Sequence, residues 1–434
     1  RELGHTLPPG ELTQDDAGLV IDALLPLVLE MVYSKDPSVG SLSNMCLATL
    51  ASLSPKTVAP AAAELVLRAL DPVASINHTH QAPAAIRAMT CIFRPLMHPR
   101  PYLAPYLPAI LELTLPGLDS SDVFKTSVTL QLYHLILCWI PVLGSALDDW
   151  KPAPCSWLDS AEEGRTDGHE LLYEACEGLG GVMLEWSAAF LDRLFEVLRH
   201  KDKFSKLKPG DLASDTMAFL VSLIRWVTEQ LFTMADEPAA DMASAKVLRF
   251  VTDRSLPNVE KDVAGVVEMM ASARPAKSVS VFFPALCDGL LAPSMISSSS
   301  PVLTPGVSSV LLRWRFQLLS GLARGAGAAL APHGPALRSL IAAGVSHKDK
   351  RVRKGARKLL RKALLGLCEL KPADTRSLPP SRWANVHSVV EWRRLCEPLP
   401  AGEADTLWVE PSQEGLSLAA VLLGDFLERP MREL

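Results

Sequence analysis

The chain has 434 residues, of which 48% are hydrophobic and 21% charged, and this balance excludes a disordered polypeptide. Aromatic residues make up only 6%, so helices are favoured over strands. The formal net charge of −5 is too small for bulk charge to attract nucleic acid or a membrane surface, and we expect neither partner. No uninterrupted apolar run reaches transmembrane length, because Pro26 and the charges around it interrupt the best candidate, 19–32.

Amphipathic runs of helical length fill the first half of the chain. A first run over 16–33 and a second run that ends at Leu53 are separated by Asp36-Pro37-x-Val39. This pattern is typical of the turn between the two helices of a HEAT-like hairpin. Further helices are predicted at 55–70, 82–97, 102–115, 121–142 and 170–198.

The second half of the chain continues in the same way. The Lys-rich sequence at 200–210 is predicted to be a basic loop. Helices are then predicted at 211–235, 238–253, 257–273, 275–291, 307–330, 332–345 and 415–427. Because helical units of about 35 to 50 residues follow one another with few strand signals, the pattern predicts an all-α fold, a HEAT-like α-solenoid of stacked antiparallel helix pairs.

Three polar stretches rich in turn-forming residues interrupt this pattern. They lie near 144–168, 292–306 and 371–412, and each is predicted to be an inserted loop. The domain prediction is therefore one continuous HEAT-like solenoid segment over 1–434 with three insertions.

The stretch 346–372 has a clear helical pattern. Apolar residues recur at spacings of three and four, which places them on one side of a helix: Val352, Ala356, Leu359, Leu360, Ala363, Leu364 and Leu367. Ser346 and Asp349 form a start of the capping-box type, and Pro372 is predicted to end the helix because its ring cannot continue the hydrogen bonds. The order of residues is typical of the second helix of a HEAT repeat, which needs neighbouring hairpins to bury its apolar side.

The same stretch carries an unusual concentration of positive charge. Nine Lys and Arg residues lie between Lys348 and Lys362, and Asp349 is the one acid among them. Two interpretations are open: an ordinary solvated face whose long side chains cover apolar surface, or a face that binds an anion or an acidic partner. The candidate residues of the second interpretation are Arg353, Lys354, Arg357, Lys358 and Arg361. The three arginines are spaced by four residues, and arginine can bind phosphate with two parallel hydrogen bonds.

Signatures of catalysis are weak in this sequence. His169-Glu170 begins like a zinc-protease motif, but Tyr173 stands where the second His is needed. The glycines within 178–181 lie inside a helical pattern, which favours a bend over a phosphate-binding loop. The eight cysteines are scattered, as expected for reduced thiols with structural roles. We predict a protein that is not an enzyme, with no catalytic, cofactor or metal site.

Three segments carry a resemblance that periodicity alone does not supply. The most specific is 115–131, LPGLDSSDVFKTSVTLQ, and the others are 50–60, LASLSPKTVAP, and 408–427, WVEPSQEGLSLAAVLLGDFL. All three resemble segments of the large HEAT-repeat proteasome activators, the family of proteasome activator complex subunit four. Their order and approximate spacing also match, so the resemblance spans most of the chain.

The resemblance implies a fragment from the N-terminal half of a much longer solenoid, and a start at Arg1 without Met agrees with this expectation. Such proteins cap the α-subunit ring of the proteasome core particle and promote ubiquitin-independent degradation of peptides and proteins. The implied substrates include acetylated histones, with a link to DNA repair and a location in nucleus and cytoplasm. Family members also bind inositol phosphates at basic openings, but these ligands do not map onto 346–372 residue by residue. The alternative is a general HEAT-repeat adaptor, such as a transport receptor or a phosphatase scaffold.

The last residues, Pro430 to Leu434, lead to an expectation about activity. Family members are thought to open the proteasome gate with a C-terminal tail whose penultimate residue is aromatic. Glu433 holds that place here, and a carboxylate cannot supply the packing of a ring. We expect that this piece alone does not stimulate peptide hydrolysis by the core particle.

Overall fold

The computed structural model of the chain describes residues 14–70, 80–97, 101–144, 166–204, 212–291, 301–372 and 408–428. Contacts between Cα atoms divide the chain into two compact units. One comprises Arg1–Pro141 and Asp167–Arg193, and the other comprises Val142–Thr166 and Leu194–Leu434. The continuity of one solenoid over 1–434 stays a prediction.

The first unit is built from helices in two layers. Helices α2, α4 and α6 pack side by side in one layer, and α1, α3 and α5 lie against them in the other. The start of a long helix, α7, also belongs to this unit. The helices are α1 (Gln14–Met31), α2 (Pro37–Leu53), α3 (Pro55–Leu70), α4 (Gln81–Met97), α5 (Leu107–Thr114), α6 (Val123–Trp139) and α7 (Thr166–Phe204).

The second unit repeats the two-layer arrangement. Its helices are α8 (Leu212–Met234), α9 (Glu237–Asp253), α10 (Glu260–Ala273), α11 (Pro275–Cys287), α12 (Ser309–Ala326), α13 (Gly334–Val345), α14 (Lys350–Cys368) and α15 (Gln413–Leu423). Helices α8, α10, α12 and α14 pack in that order, and we call them the central stack. Helices α9 and α11 pack on each other outside the stack, and α13 packs on α14. Alternate helices therefore fall in the same layer, so the predicted all-α, HEAT-like arrangement is confirmed.

Glycines allow the central stack to pack with backbone against backbone. A Cβ atom at Gly321 of α12 would overlap the carbonyl oxygen of Ala264 in α10, and one at Gly325 would overlap that of Glu268. On the other side of α12, a Cβ at Gly366 of α14 would overlap the carbonyl oxygen of Ala323. Only glycine leaves room for such close approach, so these positions fix how α10, α12 and α14 cross.

Aspartates start several of these helices. An Asp at the N-cap uses its carboxylate to satisfy a backbone N–H that has no partner inside the helix. The Asp36-Pro37 turn predicted between α1 and α2 is one such start. The acceptor and donor pairs are Asp36 with Ser38 N at 2.8 Å, Asp122 with Lys125 N at 2.9 Å, Asp236 with Ala239 N at 2.9 Å, and Asp349 with Arg351 N at 2.7 Å.

Several sequence predictions of local structure differ from the fold, among them the helix at 102–115 and the loop at 200–210. The predicted helix at 102–115 is a short helix, α5, between two 3₁₀ turns, Ala104–Tyr106 and Leu115–Gly117, because prolines lie near each start. The predicted basic loop at 200–210 is wrong over its first residues, because α7 continues to Phe204. Lys201, on that last turn, places its Nζ 2.7 Å from Oδ2 of Asp262 in α10, which holds the turn in place.

The three predicted insertions fall largely outside the described residues. The first ends earlier than predicted, because α7 begins at Thr166. In the second, 301–308 is not helical and Leu303 pairs with Leu291 as an isolated β-bridge. At the ends of the third, two short strands, β1 (Lys371–Pro372) and β2 (Trp408–Val409), pair antiparallel. This ladder was not predicted, because two-residue strands leave no periodic signal.

Of the described helices, none has both the length and the apolar content needed to cross a bilayer.

Candidate functional site

The apolar side of α14 lies where the sequence predicts it. The residues Val352, Ala356, Leu359, Leu360, Ala363 and Leu367 are buried, and Leu364 is half-buried. The ends of the helix differ from the prediction. Asp349 alone caps the start, while Ser346 closes the end of α13 by donating its N–H to the Ala342 carbonyl. The helix ends at Cys368, before Pro372, because Glu369 is already extended.

Arg353 is the first of the five candidate basic residues, and it is half-buried. Its Nη1 donates to the carbonyl oxygens of His347, at 2.9 Å, and Lys348, at 2.8 Å. These carbonyls lie in the turn between α13 and α14, whose backbone acceptors need donors. Arg353 therefore fixes this turn. It does not form one exposed row with Arg357 and Arg361, as the four-residue spacing suggests.

Lys358 is also half-buried, and its Nζ donates to Oε1 of Gln317 in α12 at 2.8 Å. Gln317 is only 8% exposed, so Lys358 supplies a partner to a buried amide. Burial lowers the pKa of Lys358, and the positive charges of Lys261 and Lys362 lower it further. Positive charges on both α10 and α14 therefore act on Lys358.

Lys354, Arg357 and Arg361 are exposed, as is Lys261 on α10. The helical spacing puts the three α14 residues on the side opposite the buried apolar stripe. Within the part of the chain that the structure describes, none of the three has a carboxylate at ion-pair distance. We call Lys261, Lys354, Arg357, Lys358 and Arg361 the basic face.

The acidic residues next to the basic face are already engaged in ion pairs. Glu268 of α10 lies 3.5 Å from both Arg225 of α8 and Lys362 of α14. Glu260 pairs with Arg313 of α12 at 2.8 Å, and Asp262 pairs with Lys201, as described above. Glu268 and Glu260 link helices of the central stack to one another, and Asp262 links α10 to α7. The positive charge of the basic face therefore stays in excess.

Sequence reasoning missed the partners of the lysines of α14. Lys362 and Glu268 are 94 residues apart in the chain, and Lys358 and Gln317 are 41 apart. Only the crossing of α10, α12 and α14 brings them together. The sequence did carry a weak signal of this helix crossing. Gly321 and Gly325 are four residues apart, and this spacing favours close helix packing.

The arrangement offers charge and hydrogen-bond donors in place of reactive groups. Among the described side chains there is no group of three or more His, Cys, Asp or Glu that could hold a metal ion. Helix α7 runs through His169 and Tyr173 and through the glycines at 178–181 without a break. A row of exposed cations beside half-buried ones can bind a multiply charged anion or an acidic segment.

Comparisons with known proteins identify the family. The family described as "Proteasome activator complex subunit 4, mid HEAT repeats region" matches residues 4–434. None of the curated proteins matches. Among solved structures, a chain from a study of Kap95p binding to RanGDP is 14% identical with a TM-score of 0.22, and a chain of importin beta is 12% identical with a TM-score of 0.23. Each match covers 82% of this chain, but it covers only 52% of the first solved chain and 55% of the second. This chain therefore spans about half the length of these two solved chains. The match over nearly all of its residues shows that the chain belongs to the proteasome activator complex subunit 4 family and carries its mid HEAT-repeat region.

Proposed function

We propose that this chain is a structural wall segment of a proteasome activator that caps the α-subunit ring of the core particle. In this proposal the complete activator promotes ubiquitin-independent degradation of peptides and proteins, and the segment itself is a non-catalytic scaffold. The observation that carries the proposal is the family match over residues 4–434. The layered helices support it, because a stack of hairpins is suited to forming a wall.

The cellular setting of the proposal comes from the resemblance described above. It comprises acetylated histones among the substrates, a role in DNA repair, and a location in nucleus and cytoplasm. The runner-up function, a HEAT-repeat adaptor for transport or for a phosphatase, uses the same fold. The two differ in their partner, and binding experiments therefore separate them.

The test uses purified core particle and the longer natural protein that contains this segment. Without ATP or ubiquitin, we expect the protein to co-sediment with the core particle and to accelerate hydrolysis of a fluorogenic peptide. The same protein carrying Gly321→Ala, which disrupts the packing of α12 on α10, should lose both properties, while Gly181→Ala should keep them. Failure to bind the core particle, with stable capture of a small GTPase or a phosphatase instead, would replace the proposal by the adaptor.

We also propose that the basic face binds a multiply charged anion, with inositol phosphate as the ligand suggested by the resemblance. Calorimetric titration of this chain with inositol hexakisphosphate at physiological ionic strength should show binding. Replacing Arg353, Arg357 and Arg361 together by Gln should weaken it by about tenfold or more, because arginine–phosphate hydrogen bonds are charge-assisted. Since Arg353 already binds two carbonyls, we expect Arg357→Gln with Arg361→Gln to reproduce most of the loss.

A matched control for the double variant removes two arginine charges elsewhere on the protein. Arg68 and Arg94 are exposed on α3 and α4, and the double change to Gln should leave the titration unchanged. Equal affinity in all variants, or no binding to the parent chain, would leave the basic face as an ordinary solvated surface.

A further inference from the structure

Lys358 contacts a different kind of partner from three other half-buried lysines of the second unit. Lys201, Lys277 and Lys362 each place Nζ against a carboxylate. Lys358 instead donates to the amide oxygen of Gln317 at 2.8 Å, and among the described residues no carboxylate lies at ion-pair distance from its Nζ. An uncharged amide accepts a hydrogen bond from a neutral amine as well as from an ammonium group. This contact therefore does not hold Lys358 in its charged form as a carboxylate would.

The charges around Lys358 also disfavour its ammonium form. Burial lowers the pKa of Lys358 most, and the positive charge of Lys261 on α10 lowers it further. On α14 itself, Lys362 and Arg361 act in the same direction. Glu260 of α10 opposes them, but its carboxylate is already in an ion pair with α12. A larger share of Lys358 than of an ordinary lysine is therefore the neutral amine, which is the nucleophilic form.

Exposed cations of the basic face lie next to this amine. Lys354 precedes Lys358 by four residues and Arg361 follows it by three, so both are its neighbours on the same side of the helix. Arg357 and Arg361 are one helical turn apart and exposed. Guanidinium groups bind phosphate with two parallel hydrogen bonds. A phosphorylated molecule bound to these cations would therefore bring its other groups close to Nζ of Lys358.

We propose that Lys358 is an acylation site whose acyl donor is a phosphorylated thioester, with the phosphates bound by Lys354, Arg357 and Arg361. The binding step rests on the anion binding proposed above. The neutral Nζ attacks the carbonyl carbon of the thioester, a C–N bond forms, the C–S bond breaks, and the proton lost by the amine passes to the departing thiolate. The products are an amide and a thiol, so no oxidant or reductant is needed. Acylation removes one positive charge and therefore lowers the affinity of the basic face for anions.

Acetyl-CoA is the probe, and Lys277 is the internal reference. Lys277 is half-buried like Lys358, but Glu237 and Asp241 pair with it. Burial acts to lower the pKa of Lys277, yet the hydrogen bonds to the two carboxylates raise it above its ordinary value. Mass spectrometry of this chain after incubation with acetyl-CoA near neutral pH would measure both rates. We expect acetylation of Lys358 to be about tenfold or more faster than that of Lys277. Equal rates would overturn the proposal.

The substitution Gln317→Glu tests the uncharged contact. A carboxylate in place of the amide would pair with Lys358 and favour its ammonium form, so acetylation of Lys358 should slow to about the rate of Lys277. Circular dichroism would verify that the variant keeps its helices. A folded Gln317→Glu chain in which Lys358 reacts as fast as in the parent chain would contradict the proposal.

A double variant tests the binding of the donor. Lys354→Gln with Arg357→Gln should slow the acetylation of Lys358 by acetyl-CoA about tenfold, because the phosphates lose two of their cations. With an uncharged thioester, S-acetyl-N-acetylcysteamine, the double variant should react nearly as fast as the parent chain. The matched control, Lys56→Gln with Arg68→Gln, removes the same two kinds of charge from exposed positions of α3 and should change neither rate.

The two donors distinguish the possible failures. If the uncharged thioester does not prefer Lys358 to Lys277, the amine is not the nucleophile that we propose, and anion binding by the basic face is unaffected. If acetyl-CoA reacts equally with the parent chain and the double variant, the donor site is wrong, and this result also counts against anion binding there. Neither result bears on binding of the longer protein to the proteasome core particle, because every rate is measured on this chain alone.

Discussion

Replacing Gly321 with alanine should lower the free energy of unfolding of the second unit by about 3 kcal/mol, the upper end of the usual cost of overpacking. The added Cβ would meet the carbonyl oxygen of Ala264, and a backbone carbonyl cannot move aside as a side chain can. Helix α12 would have to shift away from α10 and would disturb Gly325 on the next turn. Urea unfolding followed by circular dichroism measures the change.

The control is the same substitution at a glycine with open space around it. Gly181, in α7, is exposed, and no atom lies within 4 Å of the position its Cβ would take. Here alanine should stabilise the chain by up to about 1 kcal/mol through its higher helix propensity. If Gly321→Ala behaved like Gly181→Ala, the two helices would not be packed backbone to backbone.

Leu360→Asp should cost about 4 kcal/mol, because it places a carboxylate without a partner in the core. Leu360 is 8% exposed and belongs to the buried side of α14. The matched control is Leu365→Asp, since Leu365 is 46% exposed on the same helix and its change should be nearly neutral. Thermal and urea unfolding of both variants would check the expectation. Equal stability for the two would mean that the wrong side of α14 had been assigned to the core.

Much of the fold could be predicted from the sequence because its signals are local. Helix α3 spans Pro55–Leu70, as predicted, since proline suits the first turn of a helix. The Asp36-Pro37 turn combines a side-chain cap with a residue that starts helices. The buried side of α14 follows from spacing alone. In each case the deciding residues belong to one helix or to the turn that starts it.

The candidate site was harder to predict because its geometry is set by distant residues. The charge concentration on α14 was visible in the sequence, but the separate roles of Arg353 and Lys358 were not. Arg353 turns back to the carbonyls of His347 and Lys348, and Lys358 reaches Gln317 on another helix. Such contacts depend on how helices cross, which single-sequence patterns do not encode. The end of α14 was misplaced for a related reason, since the chain enters a strand pairing with Trp408–Val409.

The glycine contacts between α10, α12 and α14 have a mechanical consequence. Where backbones touch, no long side chain can change rotamer to absorb a displacement, so a sliding motion of α12 would require both neighbours to move. Between α8 and α10, by contrast, the flexible Arg225 side chain lies across Gly265 and can adjust. Under an applied bend, the stiff part of this unit would be the three glycine-linked helices, and strain would concentrate at the α8–α10 boundary. Backbone amides buried in α12 should then exchange with deuterium more slowly than those of α8.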